Sequence, residues 1–331
     1  MAFDNLKIEK ELYTCGKSFT QALESIDPSE SYVGTELEGL DAYQRQLKRF
    51  DIKVSGADSD TVSKFFQTSD SSALFPEYVA RAVRQGLNEA DIVSQIVAAT
   101  TNIDSLDYRA IESIVDENPE VSEHIMEGTF IPETNVKLKD SLTPLNKRGR
   151  MLVASYEAVK FQKLDVFTVI LKQIGDYIAR CQTYDAVKTI FDFKANDVVT
   201  FTGGITYSNL VDFWNLFDPY NLTTIITDAS SMSTMLKLAE FKDAVAGLNF
   251  HGTGSMITPF GANLIKAKCL AGSDVIIGLD KNYAIEKVQA GDVITDFDKL
   301  IDRQLDQITV SITCGFKKIT PGAVKVLTIK S

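Results

Sequence analysis

No stretch of this sequence approaches the roughly 18 to 20 apolar residues that a spanning helix needs, which excludes an integral helical membrane protein. Cysteine and histidine are scarce. The four cysteines, Cys15, Cys181, Cys269 and Cys314, lie far apart, and with only two histidines, His124 and His251, they lack the spacing of a Cys/His zinc site. The cysteines read as reduced and mostly buried, as in a cytoplasmic protein. Positive charge is also short. With 34 Lys and Arg against 45 Asp and Glu, the net charge of -11 suits a general nucleic-acid binder poorly, because phosphate contacts depend on Lys and Arg. The same charge keeps crowded copies soluble by repulsion. The opening MAFDNLKIEK lacks the basic-then-apolar pattern of a secretory signal.

Enzyme signatures are missing too. Gly16-Lys17-Ser18 resembles the end of a phosphate-binding loop, but the glycine required five positions earlier is Glu11. Gly252-Thr253-Gly254 begins like a dinucleotide fingerprint, yet position 257 is Ile, so a plain loop is the simpler reading. Neither G-x-S-x-G nor H-E-x-x-H occurs. No catalytic residue, cofactor-binding residue or metal ligand is assigned, and no cofactor is expected.

What is present is a folded chain. The length of 331 residues with 44% hydrophobic content excludes wholesale disorder and suits two domains, or one with large insertions. Residues 1–72 form an acidic, polar leader with helix expected near 5–26 and 36–50 and little core of its own, so it would wrap over its own body or a neighbour. A helix begins at Pro76, where the missing N–H does no harm, with Val79, Val83, Leu87, then Ile92, Val93, Ile96 and Val97 on its apolar side and Gly86-Leu87-Asn88 as a point of interruption.

Residues 101–150 are polarised by charge. Thr101 to Met126 holds seven acids and one base, and Glu127 to Arg150 holds three acids and five bases. The alternation in Val136-Lys137-Leu138-Lys139 predicts an extended strand. An antiparallel pair of these arms would set opposite charges against one another. Such an arm is marginal alone and would lie on another subunit; the other reading is an ordinary solvated surface hairpin.

Residues 164–190 carry the clearest period. Leu164, Phe167, Leu171, Ile174, Ile178 and Cys181 are spaced 3-4-3-4-3, one stripe on a helix of about 25 residues. A spine lying on a sheet fits this, with a short coiled coil as the alternative. Residues 196–287 read as an α/β unit. A helix over Tyr207–Phe217 turns Leu210, Phe213, Trp214 and Phe217 inward; a strand follows over 223–227, then a helix to Leu238 capped by Ser230 or Ser231. Strands are expected at 262–268, 274–278, 283–288, 307–316 and 323–329.

The order of these parts, with several short residue patterns, resembles the major capsid proteins of tailed bacteriophages, the Hong Kong 97-like fold family. Leu74-Phe75-Pro76 resembles the start of that family's ordered core. Glu127-Gly128-Thr129-Phe130-Ile131-Pro132, then Lys137 and Lys147-Arg148-Gly149-Arg150, resembles the descending arm of its E-loop. Val153-Ala154-Ser155-Tyr156-Glu157 is similar to the segment leading into the spine helix, and Thr227-Asp228-Ala229 and the run Ile277–Ala284 to passages of its A-domain. The likeness covers about residues 73–331.

The resemblance implies an α+β chain. Its parts would be an N-terminal arm (1–72), the start of a P-domain (73–100), an E-loop hairpin (101–150), the P-domain spine helix (151–195), an A-domain (196–287) and closing P-domain strands (288–331). It implies a non-enzymatic subunit that builds an icosahedral shell from pentamers and hexamers around phage DNA, without sequence-specific binding. Scaffold, portal and decoration proteins would be its partners. It would be made in the bacterial cytoplasm and end in the virion. Glu127, Lys137, Lys139, Lys147, Arg148 and Arg150 become candidate contacts between subunits, and Leu164, Phe167, Leu171, Ile174 and Ile178 the core of the spine helix. Some relatives join a Lys to an Asn covalently, but no acceptor is identifiable here and no cross-link is expected. An encapsulin-type compartment enclosing a cargo enzyme shares the fold and is the alternative. A soluble α/β enzyme is the second.

Overall fold

Several helix starts in this chain are set by short side chains that satisfy free backbone N–H groups. The second helix opens on a capping box: Asp41 Oδ1 accepts from Gln44 N at 2.8 Å, and Gln44 Oε1 accepts from Asp41 N at 3.0 Å. The structure, a computed structural model, describes residues 6–8, 19–114, 135–138, 142–191, 198–243, 256–300 and 302–330. Cys15, Gly16-Lys17-Ser18, His124, Glu127, Lys139, His251 and the loop Gly252-Thr253-Gly254 lie outside the described residues.

In chain order the elements are α1 (Phe19–Ile26), α2 (Ala42–Arg49), the single turn α3 (Ser69–Ser72), α4 (Phe75–Glu89), β1 (Ala99–Ile103), β2 (Ile111–Ile114) and β3 (Asn135–Leu138). There follow β4 (Asn146–Ser155), α5 (Tyr156–Phe161), α6 (Leu164–Phe191), β5 (Val198–Thr202), α7 (Tyr207–Asn215), β6 (Thr224–Thr227) and α8 (Ala229–Leu236). The chain ends with α9 (Ala239–Lys242), β7 (Asn263–Lys266), β8 (Val275–Leu279), β9 (Ile285–Leu300), β10 (Leu305–Lys318) and β11 (Val324–Lys330). Among the described residues three sheets form, in the orders β1-β9-β10-β4, β5-β11-β8-β6-β7 and β2-β3, so the class is α+β. The chain divides into two units. The first takes Met1–Ala90, Arg148–Ala179 and Asp292–Ile312; the second takes Asp91–Lys147, Arg180–Gly291 and Thr313–Ser331.

The first unit is organised around aromatic side chains. The Phe75 ring lies 5.0 Å from Phe66, 5.5 Å from Phe65, 5.7 Å from Phe297 and 6.3 Å from Phe167, in edge-on, tilted and stacked arrangements. Leu164, Phe167, Leu171, Ile174 and Ile178 of α6 are buried in one cluster with α4 and with Ile308, Val310 and Ile312 of β10. Tyr78 donates from its hydroxyl to Leu164 O at 2.8 Å, and burial pushes its pKa up to about 12. The helix does not break at Gly86. It continues to Glu89, because Gly86 sits where α4 crosses α6: a Cβ there would lie 2.2 Å from Lys172 O, and one on Gly175 would lie 2.2 Å from Val83 O. Lys172 Nζ and Glu89 Oε1, 3.0 Å apart, flank the crossing.

Residues 19–72 lie against the body of the first unit, one of the two placements open to a leader with little core of its own. Phe19, Leu23, Tyr43, Leu47, Val62 and Phe65 are buried in the same cluster. The interior of the segment is also partly polar. Arg45 is fully buried. Its Nε donates to Asp27 Oδ2 at 2.9 Å, its Nη1 to Ser29 Oγ at 2.8 Å and to Leu40 O at 2.7 Å, and its guanidinium sits 4.4 Å from the Tyr32 ring centre. The Tyr32 hydroxyl in turn donates to Asp27 Oδ1 at 2.5 Å. Removing one member of a buried ion pair strands the other. Arg45→Ala is therefore expected to cost about 3 to 5 kcal/mol in urea unfolding. The pair of changes Arg45→Met with Asp27→Leu should recover most of that loss. A wild-type midpoint for Arg45→Ala would contradict the assignment.

In the second unit the five-stranded sheet is covered on both faces. Ile225, Ile276 and Leu327 point to one side, onto Leu210 and Phe213 of α7 and Met232 and Met235 of α8. Their neighbours Ile226, Ile277 and Val326 point to the other, onto Val93, Ile96, Ala186 and Ile190. Strand β8 is buried along its whole length, and Gly278 within it leaves room for the rings of Phe213 and Phe217. Two local expectations are corrected. Trp214 is 45% exposed, because α7 ends at Asn215 and Phe217 enters the core from the turn beyond it. The cap of α8 is Asp228, whose Oδ1 accepts from Ser231 N at 2.8 Å. Burial works against the charge on Asp228, yet hydrogen bonds from Ser231, Ser230 and Gly272 hold its carboxyl below the usual range. The strand bounds shift as well: β7 is shorter than expected, and β9 extends to Leu300. Of the described cysteines only Cys314 is buried, while Cys181 is half-buried and Cys269 exposed.

Candidate intersubunit elements

The charge-polarised region between β1 and β4 departs from a well-defined foot in the second unit. Strand β1 runs parallel to β9, with Ala99 opposite Glu286 and Ile103 opposite Ala290. Glu286 is buried. Its Oε1 accepts from the hydroxyls of Thr101 and Tyr108, each at 2.6 Å. Burial and then the bond to Glu286 push the Tyr108 hydroxyl pKa up. On the returning side, Thr143 N donates to Tyr108 O at 2.8 Å.

Beyond this foot, β2 and β3 pair antiparallel, and the register sets Glu112 against Lys137 and Ile111 against Leu138. One acidic-arm position, Glu112, thus stands opposite one basic-arm position, Lys137, in the register. Leu138 is 66% exposed. Strand β4 carries the next three candidates: Lys147 and Arg150 are exposed and Arg148 is half-buried. In the first unit the Arg150 guanidinium lies 4.4 Å from the centre of the Tyr177 ring on α6. On the side of α6 away from its buried residues, Val166, Val169, Ile170 and Tyr177 are exposed, and Phe161 of α5 is 71% exposed. Clusters of large exposed apolar side chains are features of binding surfaces.

Of the six charged candidates, Lys137, Lys147, Arg148 and Arg150 fall among the described residues. Lys137 pairs across the β2–β3 ladder, Arg150 reaches Tyr177, and Lys147 and Arg148 lie between them in sequence. Sequence reasoning missed Glu286, Tyr108 and Tyr177. The signal for Glu286 was a carboxylate beside Ile285 and Val288 in a strand otherwise suited to burial. Among the described residues no cluster of His, Cys, Asp and Glu is placed to hold a metal ion. No described helix is long and apolar enough to cross a membrane.

No family model and no curated protein matches the chain. Solved structures do. The virus-like particle protein of Pyrococcus furiosus aligns over 76% of this chain and 98% of its own, with TM-score 0.51 and 12% identity. The capsid of the native GTA particle aligns over 72% of this chain and 89% of its own, with TM-score 0.54 and 16% identity. A structure from Microbacterium phage Oxtober96 aligns over 72% and 91%, with TM-score 0.52 and 8% identity. At such identities the likeness lies in the path of the backbone. The chain has the fold of these capsid and virus-like-particle proteins.

Proposed function

We propose that this protein is the structural subunit of a closed icosahedral shell: a major capsid protein that assembles through pentamers and hexamers around the DNA of a tailed phage. The observation that carries the reading is that the matched fold takes in nearly the whole length of proteins described as a capsid and as a virus-like particle. In this reading residues 101–150 are the E-loop, reaching over a neighbouring copy; residues 196–287 are the A-domain, around the symmetry axes; and 73–100, 151–195 and 288–331 are the P-domain. Residues 1–72 are the N-terminal arm. The net charge of -11 fits a wall that encloses DNA without gripping it. Scaffold, portal and decoration proteins are the partners such a shell takes, and the host cytoplasm is where it is made.

Negative-stain electron microscopy of the purified protein, with a solution mass, tests this. Closed polyhedral shells, or rings of five or six, are the expected result. A uniform monomer or dimer favours the soluble-enzyme reading, and assemblies without five- or sixfold rings overturn the shell. Reversing Lys137, Lys139 and Lys147 to Glu should leave the subunit folded and weaken assembly, since complementary charge fixes register between partners. Added salt should weaken the same exposed contacts. Normal shells from the triple variant would remove these lysines from the interface. An encapsulin-type compartment is the second reading, favoured by the alignment over 98% of the Pyrococcus furiosus particle protein. The contents decide between them: DNA for a phage head, a protein cargo for a compartment.

A further inference from the structure

Extended segments that leave a folded body usually swing about their points of attachment, because few contacts hold them there. The region between β1 and β4 is attached differently. One carboxylate oxygen of Glu286 holds both Thr101, on β1, and Tyr108, past the bend that ends β1. Hydrogen bonds from hydroxyls to a buried carboxylate are short and strong. The backbone of Tyr108 then receives Thr143 N, tying the outgoing foot to the returning one. Ala110 and Thr143 are buried at this point, although Leu106 and Leu142 near them are exposed. The returning foot also rests on β10: a Cβ on Gly315 would lie 2.3 Å from Pro144 O. Both feet are thereby fixed to neighbouring strands of one sheet, β9 and β10.

We propose that Glu286, through Thr101 and Tyr108, is a positioning residue that clamps the foot of the 104–145 excursion. The described feet, residues 104–110 and 142–145, are then held in one orientation on the second unit. The clamp rests on groups within one subunit. Its consequence for assembly rests on the shell reading above: an arm aimed before contact loses less freedom on docking than one that must be ordered by it.

Hydrogen exchange followed by mass spectrometry on the unassembled full-length subunit tests the clamp. Tyr108→Phe removes one donor and keeps the ring; Thr101→Val removes the other. In each variant the amides of residues 104–110 and 142–145 should exchange about tenfold faster, with β8 and α6 unchanged. Unchanged exchange at the feet overturns the proposal. So does faster exchange spread through the second unit, which would make Glu286 a general support of the fold. The same variants should assemble more slowly than wild type. Faster exchange at the feet with normal assembly keeps the clamp and removes the arm from the shell contacts, so the two readings fail separately.

Discussion

Replacing Gly175 with leucine is expected to abolish the folded subunit. A Cβ on Gly175 would stand 2.2 Å from Val83 O and 2.6 Å from Leu87 N, and both of those atoms belong to the backbone of α4. A backbone cannot rotate aside as a side chain can, so the two helices would have to part. Parting them breaks the packing of Val79, Val83, Leu171 and Ile174 together. Overpacking costs about 1 to 3 kcal/mol where flexible side chains yield, and more where backbone must move. Against a typical total of roughly 5 to 15 kcal/mol, that is decisive. Alanine gives the sharper test. At an exposed helical glycine, alanine stabilises by roughly 1 kcal/mol. At Gly175 or Gly86 it should destabilise, and a urea midpoint at or above wild type for Gly175→Ala would show that α4 and α6 are not in this contact.

The second large effect is expected at Leu171, which is fully buried on α6 in the core of the first unit. Leu171→Asp loses the packing of a buried leucine, about 2 to 5 kcal/mol, and leaves a carboxylate without a partner in an apolar interior. No soluble folded subunit should be recovered. Leu171→Met, nearly equal in volume, should cost less than about 1.5 kcal/mol. Val169→Asp, two residues away but exposed, should change subunit stability by no more than about 0.5 kcal/mol. A well-folded Leu171→Asp subunit would contradict the burial. A strongly destabilised Val169→Asp subunit would place the wrong side of α6 outward.

Both effects trace to features of different legibility. A helix over 164–190 was readable because periodic spacing is a local property. The strand near 307–316 was readable for the same reason: Val310, Ile312 and Cys314 are buried, and Thr309, Ser311 and Thr313 half-buried. Pro76 marked the start of α4. The charge contrast along 101–150 foretold opposed arms, and Glu112 stands across from Lys137. Long-range relations left no such mark. Gly86 read as a break in a helix, since nothing near it in sequence says that Lys172 lies against it. Nothing local marks Arg45 as interior; the fold brings Asp27, Ser29, Leu40 and Tyr32 around it.

The sequence by itself determined the class of the fold, the order of its main elements and the sign of charge along its extended arms, because composition and period act over a few residues at a time. Tertiary structure decided which glycines are contacts, which charges are interior, which side of α7 faces outward and how the arm is held at its foot. Each of these depends on pairs distant in sequence, such as Val83 with Gly175 or Tyr108 with Glu286, whose meeting is set by packing and not by local preference.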